Sequence, residues 1–414
     1  MSPPITTCAT ADPLDVERSR TARVLILTAG FGEGHNAAAR ALAAAVEAEA
    51  GPGSAPVADV FALAAPRLNA LSRRAYLGLI NHAPQLWRHT YAWMDRSALV
   101  TQSFGLLLRR EQRLLAMLLQ RDRPRVVLST YPIYAYLLAR LARSGLPTVP
   151  HYNVVTDSIS IHSLWWRAPC DGWFVPNEDS ADVLLQAGLP PDRVQVCGFP
   201  VHSFFHAHED ELFPPDLAAT GPAPAPRVLC IIHSGNRHAE ATARRLLAES
   251  DWEVTFAVGR NERLRRRLCA LAAGRARPAQ ILGWTDQIPR LLMTHHAVVS
   301  KAGGATTQEA IAARCPMIVN QIVPGQEEGN YELLRRHGVG ALAETPEAII
   351  AALWRAFADR GRVWQAWRSA LAPLARTGAA REIARRVLAT PAGGSLPGLP
   401  DPEPIGANPA LFPP

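Results

Sequence analysis

The chain has 414 residues, 48% hydrophobic and 19% charged, with 43 Lys plus Arg against 36 Asp plus Glu. That is ordinary globular composition above the size at which a single core stops growing, so two domains are expected. The net charge of +7 and pI near 9.4 suit anionic partners, and no nucleic-acid-binding motif accompanies them, so anionic lipid and phosphorylated small molecules rank ahead of nucleic acid. Six cysteines without a Cys-x-x-Cys pair argue against a disulfide framework or a zinc site. Met1 to Arg23 lacks the apolar core of a signal peptide, and no run approaches the roughly 18 apolar residues of a membrane span. A cytoplasmic protein is expected.

In chain order, residues 1–21 are polar and read as a loose N-terminal arm. Arg23 to Thr28 is a strand, followed by the loop Gly30-Phe31-Gly32-Glu33-Gly34-His35 and an alanine-rich helix from Ala37 to Glu49. Val57 to Phe61 reads as the next strand. Residues 66–120 are a helical insertion, with Leu68, Leu71, Tyr76, Leu79, Ile80, Leu86, Trp87, Tyr91, Trp93 and Phe104 among Arg67, Arg73, Arg74, Arg88, Arg96, Arg109, Arg110 and Arg113. This mixture reads first as an ordinary amphipathic subdomain with a solvated arginine face, and it also fits a surface that docks on anionic lipid. Strands resume at Arg125–Ser129, Val149–Thr156, Gly172–Val175 and Val194–Val196, with a helix at Ile133–Arg143. The alternation predicts a parallel sheet with helices on both faces.

Residues 213–226 turn to Pro, Ala and Gly and read as an inter-domain linker. The rhythm restarts at Val228–Ile232, Val254–Val258, Ala279–Leu282, Ala297–Ser300 and Met317–Asn320. The expected organisation is therefore a first Rossmann-like domain at 22–212, a second at 227–390 whose last helices pack back on the first, and a disordered tail at 391–414.

The chemistry concentrates at strand ends. After Val299, the turn Lys301-Ala302-Gly303-Gly304 runs directly into a helix-forming stretch that carries Glu309. Unpaired N–H groups and the helix dipole at such a turn favour an anion, although a glycine pair there is also an ordinary structural device. Glu309 can accept two hydroxyl hydrogen bonds, so a diphosphate next to a ribose diol would suit the segment. A second unit follows, with the strand Met317–Asn320 and the polar loop Pro324-Gly325-Gln326-Glu327-Glu328-Gly329-Asn330. Consecutive polar loops at strand C-terminal ends are where open α/β sheets bind ligands. The loop from Gly30 to His35 lacks the Gly-x-Gly-x-x-Gly spacing of a dinucleotide fingerprint, which disfavours a dehydrogenase.

The segment from Lys301 to Asn330 resembles the C-terminal domain of glycosyltransferase family 28. Its Pro-Gly-Gln-Glu-Glu-Gly-Asn loop is similar to that of the monogalactosyldiacylglycerol synthase and processive diacylglycerol glucosyltransferase branch. The text from Leu25 to Arg40 is similar to that branch's first strand, glycine-rich loop and helix, and the resemblance extends over about residues 22 to 385. It implies the GT-B architecture: α/β, two Rossmann-like doubly wound domains facing across a cleft. The first domain would face the acceptor, with Gly34, Asn36, His162 and Trp165 near it and His35 or Asp157 as the base. The two rival bases are not separable from sequence. The second domain would bind a UDP-sugar through Ser234, Asn236, Arg260, Trp284, Lys301, Gly303, Gly304, Glu309, Gln326, Glu327, Glu328 and Asn330. Here His233-Ser234-Gly235-Asn236 departs from the more glycine-rich loop of relatives, so side chains rather than backbone would contact the phosphates. Trp284 would face the base or pack in the core.

The implied activity is inverting transfer of glucose or galactose from a UDP-sugar to diacylglycerol or a related membrane lipid. It would need no cofactor or metal beyond the co-substrate, in a bacterial protein peripheral to the inner membrane face through residues 66–120. Transfer of N-acetylglucosamine to a polyprenyl-linked precursor, nucleotide-sugar epimerisation, and a non-catalytic nucleotide- or lipid-binding regulator are the alternatives on this scaffold.

Overall fold

Short Val-, Ile- and Leu-rich runs buried on both faces form parallel strands, because crossover helices must cover each side. In the computed structural model, which describes residues 23–96, 107–147, 149–220, 224–233, 238–325 and 327–390, they assemble into two six-stranded sheets. The first contains β1 (Val24–Leu27), β2 (Val57–Ala58), β3 (Val126–Ser129), β4 (His151–Val154), β5 (Gly172–Val175) and β6 (Val194–Val196) in the order β2-β1-β3-β4-β5-β6. The second contains β7 (Arg227–Ile231), β8 (Glu253–Ala257), β9 (Gln280–Leu282), β10 (Ala297–Lys301), β11 (Met317–Gln321) and β12 (Ala341–Leu342) in the order β12-β11-β10-β7-β8-β9. All pairings are parallel, for instance Val24↔Val126 and Val298↔Leu229. The order reverses between β1 and β3 and between β7 and β10, where loops diverge and leave a crevice at the strand C-terminal ends.

Seven helices bear on the site: α1 (Glu33–Ala50), α2 (Pro66–His82), α3 (Pro84–Arg96), α4 (Arg109–Asp122), α5 (Gly304–Ala312), α6 (Glu328–Arg336) and α7 (Ala379–Ala389). Alternation along β1 and β3 divides the first core in two. Val24, Ile26, Val126 and Leu128 pack under α1 with Ile383, Ala384 and Val387 of α7, while Leu25, Leu27 and Val127 pack on the other face with Leu115 and Leu118 of α4. The C-terminal helix therefore completes the core of the first domain.

Three segments differ from the expectation. The apolar run Val57 to Phe61 is strand only at Val57–Ala58; Asp59 accepts from Ala62 N at 2.9 Å and caps a helix at Val60–Ala64. Its other oxygen accepts from Gly30 N at 2.8 Å, so Asp59 braces the first loop. The insertion is broken at Ala83 (φ −138°, ψ 59°), because the residue before Pro84 is pushed out of the helical region. The segment read as a linker is anchored: Leu217 is buried and Pro215 O accepts from His296 Nε2 at 2.8 Å. The expected arm at 1–21, the tail at 391–414, and Phe104, Ser234, Asn236 and Gln326 lie outside the described residues. Among the described residues no helix is long and apolar enough to cross a membrane.

Candidate active site

His35 sits in the first turn of α1, which starts as soon as the glycine-rich loop clears β1, and its ring lies beside Tyr131 and Thr156, just past the ends of β3 and β4. Its Nδ1 is 2.9 Å from Thr156 Oγ1, and its backbone oxygen accepts from Thr130 Oγ1 at 3.1 Å. The ring is buried and meets Tyr131 edge-on at 5.1 Å. Asp157 follows β4, and its Oδ2 accepts from Trp165 Nε1 at 2.7 Å. Burial pushes the His35 pKa down, against the pull of Asp157; burial pushes Asp157 up, against the pull of His35 and the Trp165 hydrogen bond. Each of the two groups therefore lies under opposed influences, its own desolvation against the charge of its partner.

The expected acceptor residues divide. Trp165 is fully buried behind Asp157, its carbonyl accepting from Trp173 Nε1 at 2.7 Å, so it bears on an acceptor only through that carboxylate. The Asn36 side chain accepts from Thr28 Oγ1 at 3.0 Å and braces the end of β1. His162 is buried, meets Tyr91 of α3 edge-on at 4.8 Å and has Nδ1 3.4 Å from Asp95 Oδ1. Gly34 lies where an added Cβ would stand 3.6 Å from Ala305 N of the second domain.

The second wall collects at the β7/β10 reversal. Gly303 is the N-cap of α5, and the first-turn N–H groups of a helix have no intrahelical partner. Lys301 pairs with Glu327 Oε1, while Glu327 Oε2 accepts from Val323 N at 3.0 Å. Glu327 is thus engaged by a cation and a backbone amide, not open to a sugar. Asn330 is buried, donates from Nδ2 to Ala302 O at 2.9 Å, and keeps an unpartnered Oδ1. Glu328 lies 3.8 Å from Arg88 of the insertion. Burial raises the half-buried Glu309 to about 7, with Arg40 pulling the other way. Arg260 is exposed, and Trp284 is 70% exposed, which rules out core packing.

Glycines fix how closely the walls meet. A Cβ at Gly304 would be 3.3 Å from Thr156 O, and one at Gly329 only 1.9 Å from Ser158 O. Gln308 Nε2 donates to Ser158 Oγ at 2.9 Å, and at the rim Asp179 accepts from Arg336 at 3.1 Å and lies 2.9 Å from His337 Nε2. Between these contacts Ile159 has φ +54°, a conformation that β-branched residues avoid unless held there.

The sequence reading missed several of these partners. Thr156, Ser158 and Gln308 carry no local signal, since their partners lie up to 150 residues away. His233, with Nε2 3.0 Å from Ser300 Oγ, is held near 4 by burial and by Lys301. One signal was available: Lys301 is the single lysine of the chain, and it stands at the topological reversal.

The monogalactosyldiacylglycerol (MGDG) synthase family model matches residues 35–201, the segment that carries His35 and Asp157. Over that segment the chain is similar in sequence to that family. Processive diacylglycerol β-glucosyltransferase of Bacillus subtilis (strain 168) is 25% identical over 342 residues, 81% of this chain and 87% of the relative. The Bacillus cereus (strain AH187) protein of the same name is 25% identical over 339 residues, 80% and 84% of the two chains. Among solved structures, Os79 from O. sativa in complex with UDP superposes with a TM-score of 0.58 at 13% identity, over 88% of this chain and 100% of that one. The S. aureus MnaA-UDP co-structure does so with a TM-score of 0.55 at 12% identity, over 88% and 95%. The fold is GT-B.

Proposed function

We propose that the chain is an inverting UDP-sugar hexosyltransferase that moves glucose or galactose onto diacylglycerol or a related membrane lipid. The observation that carries this reading is that His35 and Asp157, close enough for each to feel the other's charge, lie on the wall whose Thr156 and Ser158 carbonyls meet Gly304 and Gly329 of the second domain, next to Lys301. With His35 Nδ1 tied to Thr156, Nε2 is left to take the proton of an acceptor hydroxyl, and Asp157 stabilises the resulting imidazolium. The hydroxyl attacks the anomeric carbon from the face opposite the nucleotide. The departing UDP carries away the bonding electron pair, stabilised by the α5 N-terminus and Lys301. His233, kept neutral, offers a hydrogen bond at the same point without adding charge. Glu309 holds the ribose, and Trp284 and Arg260 supply an exposed platform and a cation for base and diphosphate.

The acceptor reaches this site from a membrane. Leu68 and Leu71 of α2 and Leu86 and Trp93 of α3 are exposed, among exposed Arg67, Arg74 and Arg88. Apolar side chains within an arginine field suit an anionic bilayer surface. Three aromatic residues of the insertion pack in a row, Tyr76 on Trp87 in a T-shaped contact at 5.1 Å and Trp87 on Tyr91 tilted at 5.7 Å, with Tyr91 against His162. The row leads from the exposed face of the insertion to His162, beside which an acceptor would enter.

The test is purified protein with anionic vesicles containing diacylglycerol, offered UDP-glucose, UDP-galactose and UDP-N-acetylglucosamine in parallel, with lipid products read by mass spectrometry. A hexosyl-diacylglycerol from one donor is expected. UDP binding without lipid product would refute the acceptor assignment, and transfer only to a polyprenyl phosphate would favour the cell-wall alternative.

A further inference from the structure

We propose that Asp95, at the C-terminal end of α3, is a positioning residue for the reaction, fixing Asp157 through the turn Ser163–Trp165. The proposal rests on the transferase reading above. Asp95 Oδ1 accepts from Ser163 N at 2.7 Å, and its backbone oxygen accepts from Ser163 Oγ at 2.8 Å. That double clamp holds a short 3-10 turn, Ser163–Trp165, whose last residue directs its indole N–H to Asp157 Oδ2 at 2.7 Å. The path from Asp95 to the carboxylate facing His35 thus consists of three hydrogen bonds and one turn.

An acidic residue in the last turn of a helix opposes the helix dipole. A position that breaks a local rule is expected to serve something outside its own element. Here the carboxylate faces the Ser163 amide and His162 rather than its own helix. The placement of α3 strengthens the point. The same helix sets Tyr91 against the loop of the opposite wall, where a Cβ at Gly325 would stand 2.9 Å from the tyrosine ring, and Arg88 reaches to 3.8 Å from Glu328. It presents Leu86 and Trp93 outward, 58% and 60% exposed. The helix read as a membrane contact is therefore also the brace for loops on both sides of the cleft.

The experiment compares wild type, Asp95→Ala, Asp95→Asn, Trp165→Phe and the double variant Asp95→Ala/Trp165→Phe on diacylglycerol vesicles. Asp95→Ala should lower kcat about tenfold, with the KM for UDP-sugar within about twofold, since no donor contact is touched. Asp95→Asn keeps an acceptor for the Ser163 amide and should restore most of the rate. Because both residues act through one path, the double variant should be no slower than the slower single variant. The indole N–H resonance of Trp165, assigned by its loss in Trp165→Phe, should leave its hydrogen-bonded position in Asp95→Ala. Wild-type kcat in Asp95→Ala, or losses that add in the double variant, overturns the proposal. Should Asp95→Ala fail to fold, Ser163→Ala, which removes the hydroxyl bonded to Asp95 O, takes its place alone and with Trp165→Phe: a lowered kcat with no further loss in the double variant is expected, and wild-type kcat or additive losses overturn the proposal. If wild type transfers no hexose to lipid but the indole signal still moves, the transferase reading fails and the positioning path stands.

Discussion

On the first wall of the cleft the candidate residues already have partners within their own domain: His35 with Thr156, Asp157 with Trp165, Asn36 with Thr28. On the second wall Trp284 and Arg260 are exposed, Asn330 Oδ1 is buried without a partner, and the Glu309 carboxyl is held at about 7. The first arrangement suits a proton transfer, which needs two groups at fixed distance and little rearrangement. The second suits a charged ligand that arrives and leaves, because groups fully engaged within the chain have little to offer a diphosphate or a ribose. Lys301 lies between these cases, pre-paired with Glu327 yet on a turn that combines the reversal point of the second sheet with a glycine N-cap.

The largest effect expected from breaking this contrast is on the first wall. Asp157→Asn keeps the shape and the Trp165 contact but removes the charge, and kcat should fall by roughly 10²- to 10⁴-fold with UDP affinity unchanged. Calorimetric titration with UDP beside steady-state rates checks the split. Gly329→Ala comes next: with Ser158 O at 1.9 Å from the added Cβ, the walls must separate. Transfer should drop by more than about tenfold, since a misplacement of about 1 Å costs on the order of 10² in rate. The two domains should stay folded by circular dichroism.

Lys301 sharpens the comparison chemically. As the single lysine, it can be reductively methylated with ¹³C, giving one side-chain resonance beside that of the terminal amine. UDP should shift that resonance; an unmoved signal at saturating UDP would remove Lys301 from the donor site. Lys301→Met leaves the Glu327 carboxylate, 8% exposed, without its cation and should cost about 1–3 kcal/mol in urea unfolding. Lys301→Met/Glu327→Gln should recover that stability without recovering UDP affinity.

The smallest effect is in pH dependence. The Glu309 carboxyl is raised from 4.5 to about 7, so within that window the folded chain holds a proton that the unfolded chain has lost. Stability should therefore fall as pH rises from about 4.5 to about 7 and show no further change from this group above it. UDP affinity should move the opposite way, rising through pH 7 as the carboxylate forms and accepts the ribose hydroxyls. Glu309→Gln should flatten both profiles, measured by thermal unfolding and calorimetry across the range.

Much of this molecule was legible one residue at a time. The strand–loop–helix rhythm follows from apolar runs that must be buried on both faces, and it located Gly172–Val175, Val194–Val196 and the helix Ile133–Arg143 at their observed bounds. It misread Val57 to Phe61, because an apolar run alone does not distinguish a strand from a capped helical turn, and the Asp59 cap decided in favour of the turn. The glycine turns, Lys301, Glu309 and the His35 and Asp157 positions stood out because their chemistry depends on strand ends and helix starts, which are local features. The partners did not. Trp165 behind Asp157, Ser158 against Gly329 and Gln308, and Asp95 on Ser163 are pairings across 8, 171, 150 and 68 positions of chain, and only packing brings them within hydrogen-bond or van der Waals distance. Sequence by itself determined which side chains stand at the ends of the strands. Tertiary structure decided which of them are satisfied and which remain open, because that depends on what the opposing wall supplies.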